Sequence, residues 1–185
     1  MNYIAKKNRY IPESDWVRIR KHLSAEDAYL CEILKATGLR VDDVLESINL
    51  NWAFADIGLI VVEEKKTGKI REIESTGWIV TLIRSFREAY GISNFEASVN
   101  ALFFVPSRKD PFTHLNRSTL FRHFIKACKK AGLNDKGYTI HSLRKCYAVD
   151  LMKKTRSILQ VQKALNHDRT ETTMIYLMDA IEFML

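Results

Sequence analysis

A chain of 185 residues, 46% hydrophobic and 28% charged, has the size and composition of one globular domain with a real core, which excludes a disordered chain and a miniprotein. Cys31, Cys128 and Cys146 are odd in number and lack metal-ligand spacing, which argues against a zinc site and a disulfide framework and for reduced thiols. The net charge of +7 is unevenly placed: Pro106 to Thr170 holds 15 Lys and Arg against 4 Asp and Glu, a net of +11, and the remainder is −4. That asymmetry suits a phosphate backbone, although a solvated basic surface reads equally well from charge alone.

Residues 1 to 10 are polar and basic, with no apolar run behind Met1 to Lys7 for a signal peptide. Nowhere do about 18 apolar residues run together, so a soluble, cytoplasmic protein with no membrane partner is expected. Pro12 tolerates the first turn of a helix, and Trp16, Ile19 and Leu23 follow at helical spacing over 13 to 23. Ser24 caps a second helix with an apolar face of Ala28, Tyr29, Leu30, Ile33 and Leu34, closed by a left-handed Gly38. A short helix from Arg40 to Ser47 comes next.

The pattern then turns extended. Ile48 to Phe54, Leu59 to Glu63 and Ile70 to Glu74 read as a three-stranded antiparallel meander with turns at 55–58 and 66–69. A helix is expected over 77 to 90, and Leu102 to Val105 is either a short strand or an apolar plug. From Asn116, a cap, to Ala131 the apolar Leu120, Phe121, Phe124, Ile125 and Cys128 are interleaved with Arg117, Arg122, Lys126 and Lys129. Further helices are expected from Thr139 to Lys154, from Ser157 to Asn166, and from Thr170 through Tyr176. The expected fold class is α+β, mainly α, with a small three-stranded sheet, in a single domain over 1–185.

Five features bear chemistry. Arg40 follows Thr37-Gly38-Leu39 at a helix start, where backbone donors and the positive helix end suit phosphate; it also reads as an exposed arginine paired with Asp43. Lys66 lies in Lys65-Lys66-Thr67-Gly68-Lys69, either a solvated turn lysine or a mobile general acid. His141 and Arg144, at i and i+3, share a helix face. His167 in Leu165-Asn166-His167 fits a helix end or a ligand-facing imidazole, and Tyr176 fits a core residue or a nucleophile.

Each of these is weak alone, yet their order, with Thr139-Ile140-His141-Ser142-Leu143-Arg144-Lys145 and Leu165-Asn166-His167 through Tyr176, resembles the catalytic domain of the tyrosine recombinase (phage integrase) family. The resemblance runs from about Ile11 to Leu177. It implies that Arg40 and Arg144 hold the non-bridging oxygens of a scissile phosphate, that Lys66 protonates the leaving 5′-oxygen, and that His141 takes or shares the tyrosine proton. His167 would hydrogen-bond the phosphate, Tyr176 would attack it, and Asp43 would orient Arg40. Arg117, Arg122, Lys126 and Lys145 are candidates for DNA-backbone contact.

The implied reaction cuts and rejoins double-stranded DNA through a 3′-phosphotyrosyl enzyme, without metal, cofactor or ATP, because fixed cationic donors can stabilise the charge on the phosphate. Rival readings are a type IB topoisomerase and a DNA-binding regulator that keeps the fold. Asn166 stands where glycine is usual, but it too accepts left-handed geometry. Glu74 replaces a common proline, and Leu177-Met178 replace more polar residues. Members usually carry a core-binding domain ahead of this one; here about ten residues precede the first helix, so none is expected in this chain. Self-association on DNA as a dimer or tetramer is expected, with the apolar 179–185 tail either packing on a neighbouring protomer or folding back in cis, in a bacterial, phage or mobile-element setting.

Overall fold

The computed structural model describes residues 8–92, 101–110, 112–178 and 180, with 53 and 54 by backbone alone. These residues group into two compact units, one of Ser24–Leu120, the other of Met1–Leu23 with Phe121–Leu185.

In the Ser24–Leu120 unit, local chemistry sets the helix ends. Helix α2 (Ala25–Thr37; α1 belongs to the other unit) begins where Ser24 Oγ accepts the Asp27 N–H and stops at Gly38, whose φ of 62° is the left-handed cap expected of a glycine. Helix α3 (Val41–Leu45) is shorter than expected, with Arg40 as its N-cap. Strands β1 (Leu59–Glu63) and β2 (Ile70–Glu74) pair antiparallel, with Val62 opposite Arg71. Helix α4 (Gly77–Tyr90) matches its expected span and packs against α2.

Among the described residues the sheet has two strands, and the expected first strand, Ile48 to Phe54, is a 3-10 helix over Asn49–Ile57. Leu50, Trp52 and Phe54 imitate strand alternation, but Trp52 and Ala55, three apart, are the buried pair, at 1% and 3% exposure, while Leu50 is 62% exposed. Trp52 stacks on Phe104 with centroids 4.1 Å apart, and its indole N–H donates to Ser47 Oγ at 2.7 Å. Turning the chain every three residues meets both demands. Asn51 Nδ2 donates to the Val61 carbonyl, so a side chain meets β1 there rather than a third strand. Of the 102–105 stretch, Phe103 makes only an isolated bridge to Ile48, and Phe104 and Val105 plug the core.

Phe104 also tilts against Phe86, at 5.1 Å. Phe104→Ala should cost about 3–5 kcal/mol, read as a lower denaturant midpoint at unchanged slope; a change under about 1 kcal/mol would mean the ring is not a core element.

The second unit is helical: α1 (Glu13–Arg20), α5 (Arg117–Lys130, of which Phe121 onward belongs here), α6 (Ser142–Thr155), α7 (Ile158–Ala164) and α8 (Thr170–Met178). Asn116 Oδ1 accepts the Ser118 N–H at the start of α5, and Ser157 caps α7 through the Gln160 N–H. Thr139 was expected to cap α6, yet the helix starts two residues later. Thr139 Oγ1 instead accepts the His141 N–H, and Ser142 Oγ accepts the Thr139 N–H. This reciprocal pair makes His141 the N-cap residue. Helices α6, α7 and α8 close on one core of Ala148, Val149, Val161, Leu165, Leu177 and Ala180, with Tyr176 packed at its margin.

Except for Ala180, the 179–185 tail lies outside the described residues. Among the described residues no helix is long and apolar enough to cross a membrane.

Candidate active site

Tyr176 is half-buried on α8, two residues from the end of the helix. Its hydroxyl lies 2.5 Å from Nε2 of His141, the residue that opens α6, and the two rings meet edge-on at 80°. The His167 ring approaches Tyr176 edge-on from another side, with centroids 5.1 Å apart. One phenol thus has two imidazoles against it.

His167 is held by the backbone ahead of α8. Asn166 adopts φ 55°, the left-handed geometry expected of it. The Gln162 side chain then ties the loop: its Nε2 donates to the His167 carbonyl, its Oε1 accepts from Thr170 Oγ1, and the His167 N–H returns to the Gln162 carbonyl. His167 Nδ1 sits 3.0 Å from Oγ1 of the fully buried Thr173, which orients the ring. Gln162 and Thr173 were not singled out from sequence, where each reads as an ordinary helix residue.

Arg144 stands one turn after His141 and is 1% exposed. Its Nη2 donates to the Leu165 carbonyl at 2.6 Å, two residues before His167, so the guanidinium and the second imidazole are tied to one segment. Lys145 is the fourth residue expected to contact the DNA backbone. It is only 5% exposed, and its ammonium lies 5.8 Å from the Tyr176 ring centroid, within the range at which a cation is attracted to an aromatic face. Four expected residues, His141, Arg144, His167 and Tyr176, are thus brought together in this unit.

Arg40, Asp43 and Lys66 belong to the Ser24–Leu120 unit. Asp43 Oδ2 accepts the Arg40 N–H at 3.2 Å, and Oδ1 accepts the Lys65 N–H at 3.1 Å. Burial raises the Asp43 carboxyl above its ordinary range; Arg40 opposes this, the neighbouring Glu64 carboxylate adds to it, and the two N–H bonds oppose it. The Arg40 guanidinium is 3.7 Å from Asp43, but its nearer partner is Glu64, whose Oε2 lies 2.7 Å from Nη1. Lys66 is exposed in the turn between β1 and β2, while Lys65 reaches Glu46.

Glu64 and Arg71 were missed in the sequence, and strand alternation could have found both. Ile60, Val62 and Glu64 form one inward row, all at 0% exposure, and Arg71 pairs with Val62 in the register. Arg71 donates to the carbonyls of Thr37 and Gly38, bracing the turn that presents Arg40. Arg117 pairs with Asp42 at 2.6 Å on the surface, and Arg122 and Lys126 are exposed on α5.

A mainly helical unit pair with a small sheet, a tyrosine flanked by histidines and a buried arginine one turn on define a recognisable class. The model of the phage integrase family matches residues 9–182, and the chain belongs to that family. A probable integrase/recombinase protein of Methanocaldococcus jannaschii is 29% identical over 180 residues, 95% of this chain and 50% of that protein. The chain spans about half the length of the curated relatives it matches.

Among solved structures, the XerA recombinase superposes with a TM-score of 0.74 at 21% identity, over 96% of this chain and 65% of that one. A lambda integrase fragment solved as a dimer bound to a COC′ core site gives a TM-score of 0.73 at 21% identity, over 95% of this chain and 60% of that one. These two likenesses establish the fold.

Proposed function

We propose that this chain is the catalytic part of a site-specific DNA recombinase or integrase that cleaves and rejoins strands through Tyr176. The observation that carries the reading is the hydrogen bond between Tyr176 and His141, made in a unit that also presents His167 and the buried Arg144. A phenol of ordinary pKa, about 10, is a poor nucleophile at neutral pH without a base and nearby positive charge. His141 Nε2 is placed to take the proton, and Lys145 adds the charge.

In the proposed step the Tyr176 oxygen attacks phosphorus, and its proton passes to His141. The bond from phosphorus to the 5′-oxygen breaks, and Lys66 supplies the proton that makes a 5′-hydroxyl. Arg40 and Arg144 hold the non-bridging oxygens, with His167 as a further donor, in the manner of preorganised charge stabilisation. Asp43 orients Arg40. The 3′-phosphotyrosyl ester conserves the energy of the original linkage, so the 5′-hydroxyl of another strand can reseal it without a nucleotide.

Double-stranded DNA is the proposed partner, bound on its backbone by Arg117, Arg122 and Lys126, with self-association on DNA as in the lambda integrase dimer. The compartment proposed for this activity is the cytoplasm of a cell whose DNA lies there. The test is covalent capture on a pool of nicked duplexes whose short 5′-hydroxyl fragment diffuses away after cleavage. A protease-sensitive DNA band that survives denaturation is expected; binding without any adduct, in this chain and in a longer form carrying a DNA-binding domain, would leave a non-catalytic DNA binder.

A further inference from the structure

The Glu64 carboxylate is wholly buried, at 0% exposure, one residue past the end of β1. An apolar residue would complete the inward row of Ile60 and Val62 at less desolvation cost, so the charge at this position calls for an explanation. Its Oε2 accepts from Arg40 Nη1 at 2.7 Å and from Thr67 Oγ1 at 3.0 Å. One oxygen therefore holds both an arginine and the turn that carries Lys66.

The backbone of Glu64 closes the same turn. Its carbonyl accepts the N–H groups of Thr67 and Gly68, at 3.1 and 2.7 Å, and its N–H donates to the Lys69 carbonyl at 2.9 Å. Gly68 takes φ 65°, which lets the turn fold back onto that carbonyl. Glu64 Oε1 lacks a hydrogen-bond partner among the described residues and lies 4.0 Å from Arg71 Nη1. Two carboxylates, Asp43 and Glu64, thus balance two arginines, Arg40 and Arg71.

Among the described residues both ion-pair contacts of Arg40 fall on Nη1. The two carboxylates thus hold the guanidinium at one nitrogen, and a planar fork fixed at one nitrogen has a set direction. We propose that Glu64 is a positioning residue for strand cleavage, setting the Arg40 guanidinium and the Lys66 turn together through one carboxylate oxygen. This rests on the recombinase reading above.

The test compares Glu64→Gln and Thr67→Val with wild type in single-turnover cleavage of a nicked duplex identified by wild-type capture. That duplex is then remade with sulfur as the bridging 5′ atom. A thiolate leaving group, with a thiol pKa of about 8.5, needs no proton from Lys66. E64Q is expected to cleave the oxygen substrate about 100-fold more slowly, the scale of a small misplacement at a reacting centre, with unchanged DNA affinity when assayed well below a melt that the lost counter-charge lowers. Sulfur should restore only part of that loss, because the Arg40 defect remains.

T67V, which loses only the hydroxyl anchor of the turn, should be slower on oxygen and fully restored on sulfur. E64Q at the wild-type rate, E64Q fully restored by sulfur, or loss of rate in step with DNA affinity would each overturn the proposal. Should E64Q fail to fold, T67V decides: a defect that sulfur leaves in place overturns it. If wild type itself forms no adduct, the recombinase reading falls, and this role with it.

Discussion

Replacing Tyr176 by phenylalanine is expected to abolish covalent capture of a nicked duplex while leaving its binding intact. The ring keeps its packing beside Leu177 and its edge contacts with the two imidazoles, so only the oxygen 2.5 Å from His141 Nε2 is lost. Without that oxygen no phosphotyrosyl ester can form, and capture should drop by on the order of 10⁴-fold or more. Denaturing gels read the adduct and band-shift titration reads the binding. Adduct formation that persists in Y176F would move the nucleophile to another residue and remove the central assignment. Loss of binding in parallel with capture would instead mark a structural role for the hydroxyl.

Four helix ends were legible in the sequence because capping is local: Ser24, Gly38, Asn116 and Ser157 each act on backbone groups within four residues, whereas at Thr139 a competing side-chain pair with Ser142 delays the start. The 49–57 segment was not, because two periods coincide in it and the winner is set by Trp52 stacking on Phe104, far along the chain. The identities of the site residues came from motif order and family resemblance; their geometry did not. The resemblance implies that His141 takes or shares the Tyr176 proton, but only the fold gives the atoms, Nε2 and the hydroxyl, that meet across 35 residues. Glu64 lies one residue past β1, whose bounds match the expected ones, so it reads as a turn carboxylate, and its pairing with Arg40, 24 positions away, exists only in the fold. Lys145 looked like one more basic helix residue because charge counting carries no burial.

Arg144→Ala should separate catalysis from binding. At 1% exposure the guanidinium is packed inside its unit, and its Nη2 holds the Leu165 carbonyl at 2.6 Å. Truncation removes a fixed positive charge from the proposed phosphate site, which should slow cleavage by about 10²–10³-fold, the scale seen when one preorganised donor is deleted. It also strips a donor from the Leu165 carbonyl, a cost of about 1–3 kcal/mol in unfolding free energy. DNA affinity should fall far less than the rate, because one phosphate contact is a small share of a backbone interface. Arg144→Lys keeps the charge and loses the planar fork, so it should recover stability better than rate. If rate and affinity fell together in both variants, and in the double variant with Arg40→Ala, the arginines would be binding groups only. The chain would then be better read as a regulator that retains the recombinase fold.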